Sequence, residues 1–485
     1  MAMLVINVLC AGLVVRLVYV LYYNLCASPL RHIPGSWLCH LTRLPLTYHE
    51  YAANRRLYLH DLHKRYGPAV RIAPDEVSFA TVEAVKQIYS VGGSGYEKTN
   101  FYTLFEHFRG AKNMFSTLHK GHHAERRKRV ADRFTKTYIM QPNVTAIVEE
   151  HVRAFTSRVS QLIAAKNSVD IYVYLHAFAL DTITHYLLHP YGTHSINGGE
   201  DMRQVEELCY HDTIKARYTE LYFPRLHKLY ELCARLFRDR KGPQSGYVLN
   251  YVRGTCAKSD VDESTILYRY QKAKEAIPPL EIASEIMDQV VAGIDTTGDA
   301  LCFLMWHLSL PEAAPIQERL RTELHQNASA SVDDLPYLDA VVQEGLRVYG
   351  PAPISFPRVV PDEGRVLDGY FLPAGTVVSC QPWTLHRFDT ATFPDPEAFI
   401  PERWLEEEGR LERNRLFFAF GGGGTGCIGK HFATLEMKVL LREVYSAYKT
   451  SVAPDMKGSM EISDQIIVSR PKDQICLLSF HALDV

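Results

Sequence analysis

The sequence predicts a mainly helical protein with a smaller β-rich part, built as one intertwined unit around a long central helix. Three observations carry this. Residues 278–310 (PPLEIASEIMDQVVAGIDTTGDALCFLMWHLSL) run unbroken between an opening pair of prolines and Pro311, the residues that start and stop helices. At 1.5 Å per residue such a helix spans about 45 Å, and its second half is apolar nearly all round, which predicts burial. The chain before it reads mostly helical, whereas beyond it short apolar runs alternate with turn residues.

The elements follow in order. Residues 4–25 (LVINVLCAGLVVRLVYVLYYNL) match the ~20 apolar residues that a membrane span needs. Arg16 interrupts them, at a cost of roughly 2.5–3.5 kcal/mol on insertion scales. The stretch is long for a cleaved signal peptide and lacks the basic residue that would precede one. Residues 1–27 are therefore expected to be a retained anchor. Arg31 and His32 follow it, so the positive-inside rule places residues 37–485 on the cytosolic side. Residues 28–36, with their prolines and glycine, suit a stiff linker. RIAPDEVSFA (71–80) reads as two short strands around a Pro-Asp turn. The basic run HHAERRKR (122–129) reads as a solvated helix face. A second helix is expected over 336–348. RVLDGYFL (365–372) places Asp-Gly between apolar runs, a hairpin signal. TVVSCQ continues as a strand, FPDPEAFIPERW (393–404) is irregular, and 430–449 is again helical.

The bulk properties narrow the function. The 485 residues carry a net charge of −2, so no global field draws the chain to nucleic acid. Ten cysteines occur with no CxxC pair, which indicates neither a disulfide framework nor a zinc ribbon and fits a reducing compartment. The sequons at Asn143 and Asn327 carry weight only in a luminal chain. No flavin or nicotinamide motif is present, and a monomer is expected.

The chemistry concentrates in FGGGGTGCIG (420–429), where six of ten residues are glycine and Cys427 stands alone. Glycine reaches backbone conformations other residues avoid and lets backbone approach a flat cofactor. A helix start just after Cys427 would stabilise a thiolate. A single thiolate is wrong for structural zinc and right for a haem iron with one axial protein ligand. Two alternatives compete, a flexible linker and a phosphate-binding loop. Flanking Phe418, Phe420 and Ile428 argue against the first, and the absence of GxxxxGK[ST] argues against the second.

With Phe420, Gly423, Cys427 and Gly429 matching FxxGxRxCxG, the sequence resembles the cytochrome P450 family. The likeness extends from about Pro29 to the C-terminus and implies the P450 fold, a helical haem-thiolate domain with a long central helix. It also implies heme b with Cys427 as the iron ligand. Phe420, Gly421, Thr425 and Gly429 would then line the cofactor. Thr425 stands where the family usually carries an arginine that contacts a haem propionate. Glu344 and Arg347 form ExxR, and PERW supplies Arg403, so these three resemble the family's buried charged triad. Taken alone, ExxR reads as an ordinary surface ion pair. Trp383, His386 and Arg387 (WTLHR) add a further family-like element.

AGIDTT (292–297) resembles the family's [AG]Gx[DE]T[TS]. The likeness implies that Asp295 and Thr296 are the acid–alcohol pair delivering protons during dioxygen activation. Gly293 is unfavourable in a helix by about 1 kcal/mol against Ala, and bound dioxygen is the expected reason for it. Thr297 is expected to bond back to a carbonyl one turn earlier. His123 and Arg127 replace the family's WxxxR, and with Arg358 they would hold the propionates. Arg126, Lys128 and Arg129 are left to attract an acidic electron-donor protein. The pocket is expected to draw on 101–115, 287–291, 354–356 and 466–469, stretches rich in apolar side chains.

The reading that follows is a membrane-anchored haem-thiolate monooxygenase of the endoplasmic reticulum, of the fungal secondary-metabolism type. It would use O2, a lipophilic small-molecule substrate, and NADPH through a separate NADPH–cytochrome P450 reductase. Oxidative rearrangement, ring expansion or coupling on the same fold stays open, as does a haem-binding protein without turnover.

Overall fold

The computed structural model describes all residues except 91–94, 167, 211–213, 238–245 and 484–485. The central helix runs Pro279–Leu308, with Pro279 in its first turn. Its most extensive neighbour is the helix Ile171–Leu188, of which nearly every residue is buried. Two glycines set how closely they approach. A Cβ on Gly293 would lie 2.9 Å from Cγ1 of Ile183, and one on Gly298 would lie 2.6 Å from Cδ2 of His176. Helix–helix packing therefore accounts for Gly293, and the expectation that dioxygen explains it is corrected. The ExxR helix Pro336–Val348 and the helix Lys430–Ala447 pack against the same core.

The β-rich part forms a second cluster. Strands Ala69–Ala73 and Glu76–Phe79 pair antiparallel around the expected turn. Glu76–Phe79 then pairs in parallel with Val377–Cys380, which also takes Arg358–Val359 on its other edge. The hairpin Arg365–Leu367/Tyr370–Leu372 turns through Asp368 (φ 47°) and Gly369 (φ 82°), the two positive angles a type I′ turn requires. Leu30 and Ile33, in the segment read as a stiff linker, are buried in this cluster. At the N-terminus Val5–Ala27 is long and apolar enough to cross a membrane, with mean hydropathy 2.1, and Asn24 near its end is buried, its carbonyl accepting from Arg71 at 3.1 Å.

The irregular stretch before PERW is held by one buried carboxylate. Glu344 accepts from Arg347 Nε (2.9 Å) and Nη2 (2.8 Å) and from Arg403 Nε (3.2 Å). It also accepts from the Ile400 amide and the Trp404 indole, both at 2.9 Å. Arg347 donates onward to the carbonyls of His386, Pro396 and Ala398. The i,i+3 pair is thus no surface pair, since Glu344 and Arg347 are both fully buried. Charge-assisted hydrogen bonds at this density are what let two arginines and one glutamate share a dry site.

Candidate functional site

A cavity of about 580 Å³ lies between the central helix, the sheet and the cysteine loop. Its floor is the loop. Gly421 (φ 65°) and Gly423 (φ 59°) adopt left-handed conformations. A Cβ on Gly423 would meet the Tyr89 carbonyl oxygen at 2.0 Å, so this glycine serves close approach within the protein itself. The Cys427 amide donates to the Phe420 carbonyl at 2.8 Å, which closes the loop. The Cys427 sulfur is open to the cavity. Burial pushes the thiol up, while the Gly429 amide and the Arg127 guanidinium pull it down.

Loop and triad are joined through His386. Its Nδ1 donates to the Arg347 carbonyl (3.1 Å), and its Nε2 accepts from the Phe418 amide (2.9 Å). These bonds fix one neutral tautomer. Burial, with Arg347 and Arg387 nearby, pushes His386 down to about 3.

One wall gathers positive charge. Arg127 donates to the Gly426 carbonyl at 2.8 Å. Arg358 lies between the rings of Tyr89 and Tyr102, donates to the Tyr102 hydroxyl, and reaches Thr425 Oγ1 at 3.2 Å. The residue that departs from the usual arginine is therefore an acceptor for the neighbouring arginine. Buried His123 lines the same wall, lowered to about 3 by burial and by Lys98, Arg127 and Arg358. Lys98, which the sequence gave no reason to single out, donates to the carbonyls of Met114 (3.2 Å) and Phe115 (2.7 Å). Burial and the charge of Arg358 lower it to about 7. Among the described residues, Lys98, Arg127 and Arg358 have no ion pair. Three crowded cations and one uncovered thiol suit a flat dianionic ligand with a thiolate-binding centre, and haem is such a group.

Opposite lies the central helix. Burial, and then the charge of Asp299, push Asp295 up to about 7. Thr296 Oγ1 donates to the Ala292 carbonyl at 2.6 Å, while Thr297 Oγ1 donates to Glu436 Oε2 at 3.2 Å. The back-bonding threonine is thus Thr296 and not Thr297. The 100° turn between them aims one at the helix's own carbonyls and the other at Lys430–Ala447. The basic run is corrected too. Arg126 pairs with Glu285 (2.7 Å) and Glu281 (3.0 Å), and Arg129 with Glu281 (3.2 Å). Of the three basics expected to face a donor protein, Lys128 alone is left exposed. The cavity is lined by Phe105, Phe115, Met287, Val291, Phe356 and Ile466, but also by Asp288, Asp299 and Arg470, so it is less apolar than the sequence suggested.

The family model for cytochrome P450 matches residues 34–477. The chain belongs to the cytochrome P450 family. Among its relatives, the cytochrome P450 monooxygenase stcB of Emericella nidulans is 29% identical over 93% of this P450 and 89% of that protein. The monooxygenase aflV of Aspergillus parasiticus is 29% identical over 93% and 91% of the two chains. The monooxygenase tazI of Aspergillus terreus is 28% identical over 96% and 98%. The protein is accordingly an oxidoreductase of the P450 monooxygenase type, and the family's cofactor is haem with a cysteine thiolate ligand. Neither Lys98 nor Arg470 left any mark in the sequence. Asp299 did, since it stands one helical turn from Asp295 on the same face.

Proposed function

We propose that this P450 inserts one oxygen atom from O2 into a lipophilic small molecule, as part of a fungal secondary-metabolite pathway. One observation carries the reading. A single cavity joins an uncovered cysteine thiol, three unpaired cations and an acid–alcohol pair. Cys427 would be the axial ligand, and His123, Arg127, Arg358 and Lys98 would hold the propionates. When bound, haem supplies the oxygen-activating chemistry, which thiolate ligation favours.

The residues of this chain do the rest. Asp295, raised to about 7, can give or take a proton near neutrality, as a general acid must. The Thr296 hydroxyl parks its own proton on the Ala292 carbonyl. Its oxygen is then left as an acceptor for a group bound in the cavity that Thr296 lines. His386 and the Glu344 network hold the cysteine loop in place. Val5–Ala27 would anchor the domain in the endoplasmic reticulum membrane, facing the cytosol, where a separate NADPH–cytochrome P450 reductase delivers electrons.

The test is the absorbance spectrum of the purified, dithionite-reduced protein under carbon monoxide. A strongly red-shifted Soret band is expected. A band at the position of neutral-ligand haems, or no bound haem, would overturn the reading.

A further inference from the structure

The cavity wall formed by the central helix and the strand Ser469–Pro471 holds polar groups that the protein does not satisfy. Arg470 Nη1 donates to the Cys209 carbonyl at 2.9 Å. Among the described residues this is its one side-chain hydrogen bond, and it has no ion pair, although it lines the cavity. Asp299 lines the same cavity and is 3% exposed. Its Oδ1 is buried and turned toward His176, whereas its Oδ2 takes no hydrogen bond among the described residues. His176 Nε2 stands 3.5 Å from Asp299 Oδ1, an ion pair when the imidazole is protonated and not a formed hydrogen bond. His176 is itself pinned, with Nδ1 donating to the Tyr172 carbonyl at 2.8 Å. Gly298 makes the room for that ring. Asp295 completes the wall.

Buried polar groups in folded proteins are almost always paired, and an unpaired one calls for an explanation. Here the wall offers unspent donors on a guanidinium and an unspent acceptor on a carboxylate. A hydrocarbon bound against it would seal both away from water without a partner. A carboxylate would satisfy Arg470 but would face Asp295 and Asp299. A hydroxyl satisfies both sides, because it accepts and donates through one oxygen.

We propose that the substrate carries a neutral hydroxyl group, phenolic or alcoholic, which accepts from Arg470 and donates to Asp299, and that this wall selects for it. The inference rests on the cavity being the P450 substrate site, and it names the class of substrate. A site built to hydrogen-bond a substrate hydroxyl rejects the analogue lacking it far more strongly than an apolar pocket rejects a change in size.

The test uses the haem-loaded protein and four probes of one ring size: 2-naphthol, naphthalene, 2-methoxynaphthalene and 2-naphthoate, each titrated by calorimetry. 2-Naphthol is expected to bind at least tenfold more tightly than the other three. In Arg470→Met that preference is expected to fall below threefold, with naphthalene affinity unchanged. Equal affinities, no binding of 2-naphthol, or a preference for naphthoate would each overturn the proposal. The wild-type panel decides it even if the variant fails to fold. The carbon monoxide spectrum of the same preparation separates the two readings. Its red-shifted band with equal probe affinities sinks the hydroxyl proposal alone, whereas its absence sinks the functional reading beneath.

Discussion

Glu344 and Asp299 are both buried carboxylates beside an arginine, yet they are held in opposite ways. Glu344 receives hydrogen bonds from two arginines, an indole and a backbone amide. Asp299 keeps one oxygen without a partner, and its imidazole neighbour stands at 3.5 Å. The first arrangement belongs to the side of the molecule that supports the cysteine loop. The second belongs to the wall that faces whatever enters the cavity. Satisfied charge rigidifies, whereas unsatisfied charge waits for a ligand or a proton.

The sharpest way to break this contrast is Glu344→Ala. It strands Arg347 and Arg403 in a dry site, and removing one partner of such a network costs about 3–5 kcal/mol. The denaturant midpoint should fall accordingly, and haem occupancy should fall with it. Asp295→Asn should act the other way on stability and more strongly on chemistry. Product formation with reductase should drop about a hundredfold, as expected for loss of a positioned acid. The fold should meanwhile gain stability. Asp295 sits near 7 instead of its ordinary 3.8, so the folded state disfavours the charged form and loses stability as pH rises through that range. The gain on substitution should therefore be larger at pH 8 than at pH 5.

His386 tests the supporting side by pH. Its folded value is about 3 against an ordinary 6.5. Above 6.5 both folded and unfolded states are neutral and the residue contributes no slope. As pH falls from there toward 3, the unfolded chain takes a proton that the fold refuses, and stability falls. At pH 5 the loss is about 2 kcal/mol. His386→Asn should thus be less stable than the parent at pH 7, yet lose about that much less between pH 7 and pH 5 in urea titrations. The smallest effect is expected from Thr425→Arg. It replaces an acceptor 3.2 Å from Arg358 with a like charge, so the haem-free protein should melt one or two degrees lower by about that modest repulsion. Release of haem to a scavenging apoprotein should become slower.

Much of the fold was legible because it is local. Prolines bound the helices at 279–308 and 336–348, and Asp-Gly forced the hairpin turn. Apolar periodicity marked which segments are buried. Cys427, Asp295, Thr296 and the ExxR pair were legible for a related reason, since each sits in a short motif whose spacing is itself the signal. The partners of those residues were not. Nothing near Gly293 announces Ile183, and nothing near Arg126 announces Glu281 and Glu285. Arg470 meets its carbonyl partner across 261 positions.

The sequence by itself determined the helical class, the glycine loop around a lone cysteine and the placing of Asp295 beside Thr296 on the central helix, because backbone propensity and motif spacing act within a few residues. Tertiary structure alone decided that Thr296 bonds back while Thr297 reaches Glu436, that Thr425 accepts from Arg358, and that Asp299 and Arg470 share a wall. Those outcomes depend on which distant side chains come within about 3 Å, and packing sets that distance.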